Sequence, residues 1–324
     1  MSEQQPPRGA RMAPFWGTVL AVAAGALLPV LACGGVLAAL LAAGSVVPGA
    51  ARSVGSGPAV AIIHVRGVIL SSAGALDSSA ANAQSIIEHI RDASTNEDVR
   101  AILLRVESPG GSVVASDEIY HALNQVEKPI VVSMGELAAS GGYYISANAD
   151  WIVATPNTLT GSIGVISEFI SLEGLLNDYG VSATTIATGK RKDFGSLYRN
   201  MTDDEKVYWQ ATVNEIFASF VDLVAAGRKL PRAQVQALAD GSVYTGRQAL
   251  ANGLVDELGY QQEALRKAAE LGGITGEPRT IEYSDEPNWL QLLQGFSGRS
   301  ALPSRAEVLS LLSVPALQMR WAAP

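Results

Sequence analysis

Cysteine is almost absent from this chain of 324 residues. Cys33 is the only one, so no disulfide can form within the chain and a fold that depends on disulfides is excluded. Charged residues are also scarce, at 17% against roughly 25% in an average soluble protein. With a net charge of −8 and no basic stripe, the sequence offers no surface for nucleic-acid phosphates. His, Asp and Glu form no ligand cluster, so neither a metal nor another cofactor is expected.

The shortage of charge is greatest near the amino terminus, where no charged residue lies between Arg11 and Arg52. Residues 15–47 are almost entirely Ala, Leu, Val and Gly. This run exceeds the roughly 20 residues of a membrane-spanning helix and the roughly 7–15 of a signal-peptide core. We therefore predict a retained transmembrane anchor over 15–47, with a cytoplasmic tail over 1–14 because positive charges precede the anchor. A cleaved signal peptide and a lipid attachment at Cys33 are the alternatives.

After a linker over residues 48–58, rich in Gly, Ser and Pro, strand patterns alternate with helix patterns. Strands are predicted at 59–67, 101–106, 129–134, 151–155 and 181–188. Helices are predicted at 80–93, 114–126, 203–226, 231–239 and 245–251, with another at 143–149, after Ser140. This alternation favours parallel strands and an α/β fold over 59–283. Residues 284–324 are predicted to form an amphipathic tail that contacts another subunit or the membrane face, with a poorly ordered end as the alternative.

Two stretches combine small residues with the expected start of a helix. ESPGGSV, at 107–113, follows a predicted strand, and its Gly110 and Gly111 offer backbone N–H groups that could bind negative charge. A plain turn explains these glycines equally well. ELAASGGYY, at 136–144, sets Ser140 among Ala and Gly, where a peptide backbone could approach closely. A helix N-cap is the alternative role for this serine.

A nucleophilic serine needs a base, and lysine is the best candidate in this sequence. The chain has three histidines, none with a flanking motif: His64, His89 and His121. ATGKRKDFGS places Lys190 and Lys192 after a predicted strand, where a solvated basic loop is the alternative to a catalytic role. A lysine acts as a base only when neutral, a state that burial away from carboxylates favours. TLTGSIGV supplies Thr160 and Ser162, whose hydroxyls could hold a neutral amine or simply form a turn.

The order of these stretches resembles the signal peptide peptidase A family of Ser/Lys serine proteases. The motifs follow one another as SPGGSV, ASGGYY, TGSIGV, GKRKDFGS and VYTGRQALANGLVDELG, and the resemblance covers residues 59–283. It implies the fold of the Clp-protease and crotonase superfamily. That is an α/β fold of repeated strand-strand-helix units, preceded here by one N-terminal transmembrane helix. The chain looks like the short bacterial form with a single protease domain.

The resemblance also implies a role for individual residues. Ser140 would be the nucleophile, Lys192 the general base, and Ser162 the residue that orients the lysine. Backbone N–H groups of Gly111 and Gly141, with Gly110 as a further candidate, would form the oxyanion hole. The expected reaction is peptide hydrolysis through an acyl-enzyme.

Substrates and partners follow from the same resemblance. They would be released signal peptides and other short or unfolded polypeptides, membrane lipid around the anchor, and further copies of the chain in a ring with shared active sites. The expected location is the bacterial cytoplasmic membrane, with the catalytic domain on the extracytoplasmic side. Glu107 departs from the family, in which Asn usually precedes SPGG, and this could alter substrate preference or the protonation of the lysine. A crotonase-like acyl-CoA enzyme and a catalytically inactive membrane scaffold remain as alternatives.

Overall fold

The computed structural model describes residues 52–53, 57–72, 80–284 and 318–320. The predicted cytoplasmic tail, the predicted transmembrane anchor and most of the predicted C-terminal tail therefore lie outside the described residues. Within the described part of the chain, no helix is both long and apolar enough to cross a membrane.

Strands and helices alternate along the described chain, as the sequence pattern predicted. The strands are β1 Arg52–Ser53, β2 Ala59–Arg66, β3 Val68–Leu70, β4 Ala80–Asn82, β5 Val99–Ser108, β6 Gly110–Ser112, β7 Ile130–Ala139, β8 Trp151–Ala154, β9 Leu159–Gly161, β10 Val243–Thr245, β11 Glu257–Leu258, β12 Arg279–Tyr283 and β13 Gln318–Arg320. The helices are α1 Ala83–Thr95, α2 Val113–Asn124, α3 Gly141–Tyr144, α4 Glu173–Asp178, α5 Asp203–Arg228, α6 Arg232–Leu238, α7 Gly246–Ala251 and α8 Gln261–Leu271.

In the part of the chain that the structure describes, the main sheet has nine strands, and β12, β2, β5, β7 and β8 run parallel in that order. These strands are apolar on both faces because helices cover both. On one face, Ala264 and Ala268 of α8 pack with Val60 and Leu103. The alternate strand residues, such as Ile63, face the larger core that α1, α2 and α5 help to form. The predicted α/β fold with a parallel sheet is confirmed.

A smaller sheet with the order β13-β6-β3-β4 lies beside the main one. One residue, Pro109, separates β5 from β6, and β6 leads directly into α2. Strands β3 and β4 stand in the same way between β2 and α1. The chain thus contains successive strand-strand-helix units, and the turn from β5 into β6 brings the SPGG residues to the carboxyl end of the main sheet.

Two predictions about local structure are wrong. Residues 181–188, predicted as a strand, pair with no strand in the described chain and are exposed, with Ile186 at 96%. The β-branched residues of this stretch favour extended backbone, but a strand also needs a neighbour and a buried face. A helix does follow Ser140, but instead of the predicted 143–149 it covers only Gly141–Tyr144 and continues as turns.

One arginine ties the start of α5 to the segment before it. The Arg199 guanidinium donates to both carboxylate oxygens of Glu205, at 2.7 and 2.9 Å, and to Asp193 Oδ2 at 2.7 Å. Glu205 also accepts from the Thr202 N–H at 2.9 Å, within a capping box. These hydrogen bonds, with those from Arg199 foremost, lower the pKa of Glu205 to about 2.

Replacing Arg199 with Met should lower the melting temperature at pH 7 by roughly 5 °C, because the Glu205 carboxylate loses its charged partner. The folded-state pKa of Glu205 lies below its ordinary value of 4.5. The stabilisation is therefore complete above about pH 4.5 and is lost as the pH falls toward 2. Thermal unfolding of the full-length chain, followed by circular dichroism, should show the difference from wild type shrinking over that range.

Lys206→Met is the matched control, since it breaks an exposed pair with Asp203 in the first turn of the same helix. It should shift the melting temperature by less than about 1 °C. Equal melting temperatures for wild type and Arg199→Met at pH 7 would contradict the role assigned to this arginine.

Candidate active site

Ser140 stands at the end of β7 with a strained backbone. Its φ of 52° and ψ of −113° lie outside the regions that a residue with a side chain normally adopts. Its N–H donates to Gly161 O and its carbonyl accepts from Tyr144 N–H, both at 2.8 Å. The residue is 1% exposed, and its hydroxyl makes no hydrogen bond within the described chain. Because α3 has only four residues, any effect of its helix dipole on this serine is weak.

The glycines of the two small-residue stretches lie against each other. A Cβ added to Gly110, whose φ is 93°, would lie 2.5 Å from Gly141 N and 3.0 Å from Ala139 O. A Cβ added to Gly141 would lie 3.1 Å from Gly111 N. Side chains at these positions would therefore push β6 away from Ser140. This close approach of two backbones explains the lack of side-chain bulk on both sides of the serine.

The three candidate oxyanion donors are not equivalent. The N–H of Gly110 already donates to Ser108 Oγ at 3.1 Å, and that hydroxyl donates onward to Gly67 O at 2.6 Å. Ser108 thereby fixes the turn between β5 and β6, a role that the sequence analysis missed because a serine before Pro-Gly-Gly has many possible functions. Gly111 and Gly141 remain as the better candidates.

Ser162 lies beside Ser140 through strand pairing. β9 runs parallel to β7 with Ala139 opposite Gly161, so the next residue on each strand is a serine. Ser162 also has a positive φ, of 49°, and is 7% exposed. The structure thus brings together five of the six predicted site residues: Ser140, Ser162, Gly110, Gly111 and Gly141.

Lys192 is the predicted site residue that the structure does not bring to the others. It lies in a turn, where its N–H donates to Gly189 O at 3.2 Å, and it is exposed. Within the described chain, its ammonium group makes no hydrogen bond to Ser140 or Ser162. Its neighbours are paired differently, since Lys190 and Arg191 both contact the Asp204 carboxylate at 3.2 Å.

Aromatic and apolar side chains surround the turn that carries Lys192. Phe194 packs between Phe169 and Trp209, with ring centroids 5.2 and 5.1 Å away. Several large apolar residues between positions 170 and 207 are strongly exposed: Ile170, Tyr179, Val181, Ile186, Tyr198 and Val207. Large apolar side chains exposed together often mark an interaction surface.

A short strand from the C-terminal region lies along the glycines of β6. β13 pairs antiparallel with β6, with Met319 opposite Gly111 and Arg320 opposite Gly110. Met319 is 1% exposed, and its carbonyl oxygen contacts the point where a Gly110 Cβ would lie. An extended peptide can therefore lie next to the backbone of Gly141. Nothing in the sequence indicated this pairing.

The histidines have other contacts. His64 Nε2 lies 4.0 Å from a carboxylate oxygen of Glu282, and His89 packs against the Tyr283 ring at 5.8 Å. His121 lies 2.8 Å from the side-chain amide of Gln125. None of these contacts involves Ser140.

Comparison with known families agrees with this geometry. The model of peptidase family S49 matches residues 122–275, and the Clp protease model matches residues 62–160. These two ranges contain all the predicted site residues: Ser140, Ser162, Lys192, Gly110, Gly111 and Gly141.

Three relatives extend the match. A protein of Synechocystis named as a proposed protease is 42% identical over 65% of this chain and 76% of its own length. One of Methanocaldococcus jannaschii, named in the same way, is 40% identical over 64% of this chain and 67% of its own. A proposed signal peptide peptidase SppA of Enterococcus faecium is 38% identical over 63% of this chain and 60% of its own. The chain therefore belongs to peptidase family S49, the signal peptide peptidase A family, and is a serine protease.

Proposed function

We propose that this chain is a membrane-anchored endopeptidase in which Ser140 is the nucleophile and Lys192 the general base. Ser162 would orient the lysine, and the N–H groups of Gly111 and Gly141 would bind the oxyanion. The observation that carries the proposal is the strained, buried Ser140 packed against glycine backbone in a chain of family S49.

Each group has a defined part in the reaction. The Ser140 oxygen attacks the peptide carbonyl carbon while the neutral Lys192 amine takes the hydroxyl proton. The carbonyl oxygen becomes an oxyanion that accepts hydrogen bonds from backbone N–H groups, each worth about 3 kcal/mol. The C–N bond then breaks, and the leaving amine takes the proton from the lysine. Water attacks the acyl-enzyme by the same steps and releases the acid.

We propose that Lys192 reaches the serine of a neighbouring subunit. In the single chain the lysine is exposed and makes no hydrogen bond to Ser140, and large apolar side chains of the same segment, such as Tyr198, are exposed. A second copy seated there would bury the lysine in less polar surroundings, which favours a neutral amine. Head-to-tail contacts of this kind close into a ring when the rotation between subunits allows it.

The substrate is proposed to bind as an extended strand. Gln318–Arg320 already pairs with β6 through its main chain, which requires no particular sequence. A folded protein would have to open before a strand could enter this position. Short or unfolded polypeptides fit best, and the name of the Enterococcus relative points to released signal peptides among them.

The location proposed is the cytoplasmic membrane, with residues 15–47 as the anchor and the catalytic domain on the extracytoplasmic side. The apolar composition of that run and the arginines before it support this arrangement. A crotonase-like acyl-CoA enzyme would share the fold but would not require both Ser140 and Lys192. An inactive scaffold would not need to keep a strained serine in contact with glycine backbone.

Ser140→Ala should abolish peptide hydrolysis and labelling by a fluorophosphonate probe, because the nucleophilic oxygen is lost. The variant should unfold at the wild-type temperature to within a few degrees. Ser219→Ala, which removes an exposed hydroxyl from α5, is the matched control and should keep full activity. Hydrolysis by purified Ser140→Ala above the trace level would rule out this serine as the nucleophile.

Mixing two inactive variants should restore activity if the site is shared. Ser140→Ala and Lys192→Ala would be co-assembled in equal amounts from detergent-solubilised chains, and about a quarter of random head-to-tail interfaces would then hold both groups. Lys190→Ala, two residues from the proposed base, serves as the control and should be active alone. If crosslinking shows mixed assemblies and they remain inactive, the serine and lysine act within one chain.

A further inference from the structure

The pairing of β7 with β5 changes just before Ser140. The two strands pair residue for residue from Ile102 opposite Ile130 to Val106 opposite Met134. The next pair is Ser108 opposite Ala138, so β5 advances by two residues where β7 advances by four. β7 therefore carries a bulge over residues 135–137 that ends three residues before the serine.

The side chain of Glu107 occupies the gap that this bulge leaves in the sheet. Its Oε2 accepts from the Glu136 N–H at 2.9 Å, and its Oε1 accepts from the Leu137 N–H at 3.0 Å. Both donors are backbone groups of the bulge. The carboxylate thus replaces the main chain of β5 as the acceptor along this part of β7.

The surroundings hold the carboxylate in this position. A Cβ added to Gly135 would overlap the Glu107 carboxylate, so glycine leaves the space that the carboxylate fills. On the other side of the bulge, the buried Thr158 hydroxyl donates to Gly135 O at 2.6 Å. The Glu107 backbone is fixed as well, because its carbonyl accepts from the Gly67 N–H at 2.9 Å. Hydrogen bonds with the Glu107 and Thr158 side chains therefore hold the bulge on both sides.

We infer that Glu107 is a positioning residue for the nucleophile. By holding the bulge in place, its carboxylate sets the direction of the last residues of β7. That direction determines where Ser140 lies between the glycines of β6 and Ser162. The inference rests on the proposed role of Ser140. This positioning role also accounts for Glu107 at a position where the family usually has Asn. In this role the carboxylate acts on strand β7 rather than on the substrate.

The serine should be sensitive to such a change because its backbone is strained. A residue with φ of 52° stays in place only when its neighbours determine its position. A displacement of about 1 Å at a nucleophile can cost about 100-fold in rate. Glu107→Gln has the same shape but replaces one acceptor oxygen with an NH₂ group, so one of the two N–H groups of the bulge loses its partner.

In full-length protein, Glu107→Gln should lower kcat and the rate constant of fluorophosphonate labelling by about 10- to 100-fold, with KM within about twofold of wild type. Both rates would be expressed per folded molecule, from the circular dichroism signal. Gly135→Ala should give the same kinetic defect, since it displaces the carboxylate without removing it. This second variant keeps the inference testable if Glu107→Gln folds poorly.

Asp150→Asn is the matched control. Asp150 Oδ2 accepts from the Ile130 N–H at 2.8 Å, so it makes the same kind of contact at the far end of β7. The Asp150→Asn substitution should lower the melting temperature but leave the rate constant of fluorophosphonate labelling unchanged. A purely structural role for Glu107 predicts that Glu107→Gln behaves like Asp150→Asn, with wild-type labelling per folded molecule, and that result would overturn the inference.

Ser140→Ala in the same assay separates this inference from the proposed function. Labelling of Ser140→Ala at the wild-type rate would overturn both. No labelling of Ser140→Ala, together with wild-type labelling of Glu107→Gln and Gly135→Ala, would overturn the role of Glu107 alone.

Discussion

The arrangement of the site depends on one contact, the packing of the β6 backbone against the start of α3. Gly110 and Gly141 approach so closely that a Cβ on either would meet backbone atoms of the other segment. The same contact places Gly111 N close to Gly141, the residue that follows the serine. β13 pairs with the same strand, and the Met319 carbonyl oxygen lies beside Gly110.

Keeping Ser140 in this position has a cost that the rest of the fold must offset. A non-glycine residue with this kind of strained backbone lowers the free energy of unfolding by about 1–3 kcal/mol. The neighbouring strand supplies the Gly161 carbonyl, and two tyrosines anchor the helix that follows. Tyr143 donates to Leu254 O at 2.9 Å and Tyr144 to an Asp117 carboxylate oxygen at 2.7 Å. Burial raises the pKa of both phenols, so they remain neutral donors.

The sequence predicted the elements whose structure is determined by burial in the core. It did not predict those whose structure depends on pairing with another strand. The apolar runs of β2, β5 and β7 and the long helix α5 were predictable because the core selects them. The glycine and serine motifs were predictable as an ordered set, although each alone was ambiguous. Residues 181–188 have strand composition but pair with no other strand among the described residues, and β13 is a short strand whose composition does not mark it. The role of Glu107 depends on a register shift that is invisible until two strands are paired.

The unequal burial of Ser140 and Lys192 makes the activity of the proposed enzyme depend on subunit assembly. Ser140 is 1% exposed in the single chain, whereas Lys192 is exposed to solvent. A lysine that stays hydrated adds no desolvation cost to the folding of the chain. If a second copy covers Lys192, the desolvation of the lysine instead opposes assembly. The burial of side chains such as Tyr198 and Ile186 would then offset this desolvation cost. Under this proposal an isolated subunit folds with its nucleophile in place but without a base, so hydrolysis begins only once subunits have joined.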